Sequence, residues 1–400
     1  MKYLWIGICI DNYLKKEIIK YGGQLYSGHI ANDSLFQGFL ENNIVFDSIN
    51  GRGIKYFPKY KQLILKRHVW HEYGGKHVCV SYLNGKYSRI ISRTISMKRE
   101  IKKWIKRNKS EDLMVFIYGL STPSISVTKI LKKKNPNAII SLIIPDLPEY
   151  KDLNASPIKK MLKKLESFYI NRYIKNVDYF FPFAEKMAEY LKLPKNSWMV
   201  MEGSINSLDI SSPCDTFQRK NAIMYAGICN YDFGIDILLN AFEKVPDKDV
   251  ELWIAGTGNA QDLIRDFAKH DTRIKYFGYI SHENVLLLEK QAIGVINLRN
   301  PNQNVSQYAF PSKIFEYMLS ASIVLTFRVQ GIPNEYYNYL KVMEEASEEC
   351  VAKNIIDVLN MTLEERNLIG NKAREYVIAN KTNIKQAKRM LDFICKRGEE

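Results

Sequence analysis

Four short, nearly continuous apolar runs, at 222–227, 250–258, 274–280 and 293–298, alternate with segments whose apolar residues recur at helical spacing, 234–242 being the clearest. Strands alternating with helices predict a parallel, doubly wound α/β sheet, whose ligand crevice lies outside the carboxyl ends of the strands. The first run closes on Gly227. A glycine at such an end lets backbone approach a nucleotide closely.

The last strand leads into Tyr308-Ala309-Phe310-Pro311-Ser312-Lys313-Ile314-Phe315-Glu316-Tyr317. Pro311 and Ser312 predict a helix start, with the Ser312 hydroxyl capping the first amides. Ile314, Phe315, Met318 and Leu319 form its buried stripe. Amides at a helix start favour an anion, and Lys313 adds a full positive charge there. Glu316 repels phosphate but accepts hydrogen bonds from a sugar diol. The same ten residues also suit an ordinary surface helix with a solvated lysine, so the surrounding chain has to decide.

At 400 residues the chain suits two domains of about 200 each. We expect a first domain over 1–205, a linker at 206–220, a second domain over 221–380 and a last helix at 381–400 returning to the first. In the first domain, strands are expected at 3–10, 44–47, 113–118, 138–144 and 200–205, with a helix at about 28–40. The run at 3–10 is interrupted by Asp11 without a small-residue cleavage site, and reads as a buried strand, not a signal peptide. No apolar run reaches the roughly 18 residues of a membrane span. Six cysteines are scattered without C-x-x-C spacing, and His68, His71, His77, His270 and His282 lack metal-ligand spacing. No metal site or disulfide framework is expected, and a reducing cytoplasm is the expected compartment.

Taken together, these segments resemble the donor-binding half of retaining GT-B glycosyltransferases of family 4, the group that builds bacterial capsule, O-antigen and exopolysaccharide repeats. The resemblance implies two Rossmann-like domains facing one cleft. It also implies a nucleotide-sugar donor, expected to be a UDP-sugar, and metal-independent transfer with retention. The common family pattern places an Arg and a Lys on the donor diphosphate, where this chain has Ile228 and Phe233. It also places a first glutamate eight residues before the second, where this chain has Tyr308 before Glu316. The match is instead to a subgroup with a Phe-Pro-Ser-Lys turn, in which Arg299 and Lys313 supply the cations, and 331–336 also looks like this subgroup.

Carried onto this chain, the resemblance assigns Arg299, Lys313 and the amides from Ser312 to the leaving diphosphate. Pro311 and Ile314 complete the turn, Glu316 binds ribose, backbone at Tyr279 and Ile280 meets the base, and Tyr308 replaces a contact to the donor sugar. Gly227 and the pair Gly22-Gly23 bring backbone to the donor, the latter through amides meeting its phosphate. Asp146, where many relatives have His-Asp, orients donor sugar or acceptor, and Glu202 is a weaker candidate for the cleft. An epimerase of the same fold and a non-catalytic scaffold subunit are the rival readings; the losses at 228, 233 and 308 favour the scaffold, the retained Arg299, Lys313 and Glu316 oppose it.

Residues 1–205 hold 35 Lys and Arg against 17 Asp and Glu, and the rest hold 23 against 26. Basic amphipathic segments at 98–109 and 159–173 suggest contact with an anionic membrane surface. Relatives of this kind act on lipid-diphosphate-linked saccharides, which implies a peripheral position on the inner face of a bacterial membrane. No nucleic-acid motif accompanies the charge, so no nucleic-acid partner is expected.

Overall fold

The computed structural model describes residues 1–23, 27–109, 111–147, 157–210 and 219–398. Beyond Ile210, most of the segment expected as a linker lies outside them, as do Pro148, Glu149 and Tyr150. The chain divides into Met1–Ser204 with Asn383–Glu400, and Ile205–Thr382.

The first unit carries strands β1 (Lys2–Gly7), β2 (Phe46–Asn50), β3 (Ile64–Leu65), β4 (His68–Glu72), β5 (Gly75–Cys79), β6 (Tyr82–Leu83), β7 (Leu113–Tyr118), β8 (Ile139–Ile144) and β9 (Tyr179–Pro182). Its helices are α1 (Asn12–Lys20), α2 (Ser27–Glu41), α3 (Ser88–Arg107), α4 (Thr122–Ile125), α5 (Thr128–Lys134), α6 (Pro157–Ile174) and α7 (Glu185–Tyr190). Seven strands pair in the order β4-β5-β2-β1-β7-β8-β9, parallel except for the β4–β5 hairpin, while β3 and β6 form a separate antiparallel ribbon. The second expected strand starts two residues late. Asn43, at φ 62°, ends α2, and the Ile44 amide bonds back to Phe39 O, so both Ile44 and Val45 are spent on the turn.

The core of this unit forms where aromatic side chains of α2 meet the sheet. Phe39 and Phe116 have ring centroids 4.6 Å apart, and Trp5 and Phe46 pack edge-on at 5.5 Å. Burying each such ring contributes roughly 1.5–3 kcal/mol. The last helix, labelled α14 below, belongs to this unit and crosses α2 at Gly38, where a Cβ would stand 2.2 Å from Asn383 O. Only glycine permits that approach. Gln386 on the same helix donates to Met201 O and Gly203 O, both at 2.7 Å.

The second unit holds β10 (Lys220–Ala226), β11 (Glu251–Ala255), β12 (Ile274–Gly278), β13 (Ala292–Asn297), β14 (Ile323–Phe327) and β15 (Lys341–Met343). Its helices are α8 (Ile235–Glu243), α9 (Gln261–His270), α10 (His282–Gln291), α11 (Lys313–Leu319), α12 (Glu348–Asn360) and α13 (Leu363–Asn380); α14 (Asn383–Gly398) then returns to the first unit. All pairs are parallel, in the order β12-β11-β10-β13-β14-β15. The order reverses between β10 and β13, which puts the ligand crevice of this sheet at the carboxyl ends of those two strands. Gly227 follows one end, and Leu298 and Arg299 follow the other.

Candidate active site

The switch point of the second unit brings Arg299 beside the turn after β10. Its guanidinium stands 5.8 Å from the Phe233 ring centre and donates to Val305 O at 3.4 Å. Phe233 is the position at which the sequence pattern lacks a cation, so a cation from one strand end stands over the residue missing from the other. The loop bearing Arg299 is braced: Ser306 Oγ donates to Asn300 O at 2.6 Å, and the Gln303 side chain donates to Asp232 O. Gly331 presses on the same loop, where a Cβ would lie 2.2 Å from Ala309 O.

Next along the chain, α11 presents Lys313. Its ammonium is 2.9 Å from a Glu289 carboxylate oxygen on α10 and also pairs with Glu316 one turn on. Burial alone would lower the Lys313 pKa, but Glu289 and Glu316 outweigh it and hold the ammonium charged. Glu289 is fully buried, and burial pushes its carboxyl up to about 7 although Lys313 pulls the other way. Tyr317, on the same helix, fixes α11 to β10: its hydroxyl accepts from Ala226 N at 3.0 Å and donates to Ala226 O at 3.2 Å. The buried stripe comprises Ile314, Phe315, Tyr317, Met318 and Leu319.

The helix start differs from the expectation. Ser312 has helical backbone angles (φ −54°, ψ −23°) and makes no capping hydrogen bond from its side chain. The amides of Ile314 and Phe315 already bond to Pro311 O and Ser312 O. The tight turn after Pro311 satisfies these two locally, and Lys313 supplies the full charge at this point. Tyr308 ends the short turn Asn304–Gln307 and is half-buried.

Glycines build the wall along β10, β11 and β12. The Gly227 amide bonds to Ala255 O at 3.0 Å and the Gly256 amide to Gly278 O at 2.7 Å. A Cβ on Gly256, which has φ 137°, would lie 1.8 Å from Gly227 O. Close strand-end packing therefore needs these glycines, and the Gly227 amide serves the fold. Tyr279 and Ile280 follow β12 at the same carboxyl edge, and Tyr279 is exposed.

In the first unit Asp146 is exposed two residues after β8, at a carboxyl strand end. Its charge reaches Tyr118 at the end of β7, whose hydroxyl is raised first by burial and then by Asp146. The Gly22-Gly23 expectation is corrected: both amides are taken by α1, bonding to Ile19 O and Ile18 O. Gly22, at φ 77°, terminates that helix. Glu202 is also corrected. It is 3% exposed and lies by α14, 3.4 Å from Gln386 Nε2 and 3.8 Å from Arg389 Nη1. Glu335 accepts from Tyr376 Oη at 2.6 Å and Lys381 Nζ at 3.0 Å, a structural tie. His68 pairs with Asp11 at 2.8 Å, and no metal-binding group of acidic, His and Cys side chains occurs among the described residues.

Glu289 is the residue that the sequence reading passed over. Its signal was a carboxylate on the inward face of α10, four residues after Val285 and three after Leu286. Its raised pKa has a measurable consequence. The folded pKa of about 7 exceeds the usual carboxyl value of 4.5, so the folded state binds more protons between those two limits. Stability contributed by protonated Glu289 is present below pH ~4.5 and is lost as pH rises towards ~7. Glu289→Gln should flatten the fall in melting temperature across that window; an unchanged profile would remove Glu289 as its source.

Residues 220–361 match the family described as glycosyl transferases group 1. No curated protein sequence matches the chain. Among solved structures, the fold is similar to the trehalose-6-phosphate protein from E. coli bound with UDP-2-fluoro glucose, at TM-score 0.64 and 10% identity, covering 98% of this chain and 99% of that one. It is also similar to sucrose-phosphate synthase from Thermosynechococcus elongatus, at TM-score 0.64 and 13% identity over all of both chains. The lipopolysaccharide outer core galactosyltransferase WaaB gives TM-score 0.60 and 12% identity, over 99% and 100%. At these identities the likeness establishes the fold, which is GT-B.

Proposed function

We propose that the chain, which has the GT-B fold, is a retaining glycosyltransferase that moves a sugar from a UDP-sugar to a lipid-diphosphate-linked saccharide in bacterial surface-polysaccharide synthesis, a reading supported by the group 1 match over residues 220–361. The observation that carries the donor side is the placement of Arg299 over Phe233, with Lys313 and Glu316 on the helix that Tyr317 ties to β10. Two cations at the switch point suit a leaving diphosphate, and stabilising the charge that develops there is the main catalytic contribution. Lys313 has three donors, and exchange of a carboxylate partner for a phosphate oxygen costs it no charge pairing. Glu316 then serves the ribose hydroxyls, while backbone at Tyr279 and Ile280 meets the base.

Asp146 orients the donor sugar or the acceptor hydroxyl in this reading, which its exposure at a carboxyl strand end of the first unit supports. The ligand bound to the similar E. coli structure, UDP-2-fluoro glucose, supports a uridine nucleotide. Arg299 and Lys313 take the charge-neutralising role that a divalent cation has elsewhere. Transfer to a lipid-diphosphate saccharide should therefore continue in EDTA, with donor and product sharing one anomeric configuration by NMR. Loss of transfer in EDTA that magnesium restores would overturn the metal-independent mechanism.

A further inference from the structure

The charged surface of the first unit divides unexpectedly along α3. Its second half, which contains the basic segment at 98–109, buries Met97, Ile101, Trp104 and Ile105 in the core, and Trp104 donates to Asp47 at 2.8 Å. That half offers lysines but no apolar group to a partner. The first half does the reverse. Tyr87, Ile91 and Ile95, four residues apart and so on one face, are 61%, 65% and 46% exposed.

The β3–β6 ribbon extends the same apolar surface. Ile64 and Leu83 are paired opposite each other, both exposed, as is Leu63. Ribbon and helix are joined: Leu83 N donates to Ser92 Oγ at 3.1 Å, and that hydroxyl donates to Leu83 O at 3.3 Å. Around these side chains, Lys55, Lys59, Lys61, Lys66 and Lys86 are exposed. Residues 51–99 contain twelve Lys and Arg and a single acid, Glu72.

We propose that the β3–β6 ribbon and the first half of α3 form a surface that inserts shallowly into a bilayer containing anionic lipid. Exposed aliphatic residues inside a cationic rim are what an acyl-headgroup boundary takes, the apolar part providing depth and the lysines attraction. A second copy of the chain would bring like charges together across the same face. Nucleic acid would use the lysines but leave the branched aliphatic side chains without a role. The surface deepens the acceptor side of the function proposed above, and rests on that reading only for the identity of the lipid-linked substrate.

Sedimentation of the full chain with phosphatidylcholine vesicles, with and without phosphatidylglycerol, tests the surface without any sugar substrate. Binding should require phosphatidylglycerol and weaken with salt as the exposed charges are screened over about 8–10 Å. Ile64→Ser with Ile91→Ser, which keeps every charge, should weaken it by about tenfold or more. Lys59→Gln with Lys86→Gln should weaken it at low salt, and Lys102→Gln with Lys103→Gln should weaken it less. Melting temperatures of the Ile64/Ile91 and Lys59/Lys86 pairs should match the wild type, since each residue is exposed; Lys103 pairs with buried Glu100 at 2.8 Å, so its pair is compared at equal folded fraction. Equal binding to neutral vesicles, undiminished binding of the Ile64/Ile91 pair, or conversion of a dimer to a monomer by that pair would overturn the assignment. Transfer to a water-soluble acceptor saccharide, measured alongside, reports separately on the glycosyltransferase reading.

Discussion

Lys313→Ala is expected to lower donor binding or turnover by about 10- to 150-fold, the equivalent of losing a charged hydrogen bond of ~1.5–3 kcal/mol. The reasoning is geometric: Lys313 is held by Glu289 and Glu316 at the carboxyl edge of the second sheet, on a helix fixed to β10 by Tyr317. The variant also strips buried Glu289 of its partner. Some loss of stability therefore follows, and activity should be read with Glu289→Gln added, which removes the stranded carboxylate. If the double variant regains stability but not turnover, Lys313 acts on the donor. Wild-type turnover in either variant would remove Lys313 from the site. Glu316→Ala should show a loss of about tenfold or more, chiefly in nucleotide affinity, since its assigned partners are ribose hydroxyls.

Asp146→Asn should separate binding from chemistry. The substitution keeps size and removes charge, and the residue is exposed beyond β8, so the core of the first unit is left intact. Nucleotide affinity should change little while turnover falls by about tenfold to a hundredfold, the pattern of an interaction made chiefly in the transition state. Calorimetric titration with nucleotide and single-turnover kinetics check the two halves. Near-normal turnover would reduce Asp146 to a residue shaping the strand end.

Much of this was readable in order along the chain, and the part that was not has a common cause. The strands of the second unit and the buried stripe of α11 follow from apolar periodicity, which burial enforces residue by residue. Lys313, Arg299 and Tyr308 could be picked out by position because a known pattern fixes their spacing, which does not by itself assign their roles. What the sequence concealed depends on the backbone geometry and pairing that only the folded chain fixes. Gly22 and Gly23 looked like open amides, yet Ile18 and Ile19 carbonyls claim them locally. Ser312 had the right chemistry for a cap but the wrong backbone angles. Glu289 gained its meaning only when α10 was laid beside Lys313, 24 residues later. The basic segment at 98–109 forms only the second half of α3, whose apolar side chains are buried there, whereas those of its first half are exposed.

We propose that the switch point between β10 and β13 binds a nucleoside-diphosphate sugar through Lys313. Thermal unfolding against a panel of nucleotide sugars tests it most directly, because a ligand that binds only the folded chain stabilises it by mass action. A UDP-sugar at ~100 times its dissociation constant should stabilise the wild type by about 2.7 kcal/mol. The gain should saturate, persist in EDTA and be largely lost in the Lys313→Ala, Glu289→Gln double variant. A panel in which no nucleotide sugar stabilises the wild type, or in which the double variant gains as much, would rule out donor binding through Lys313.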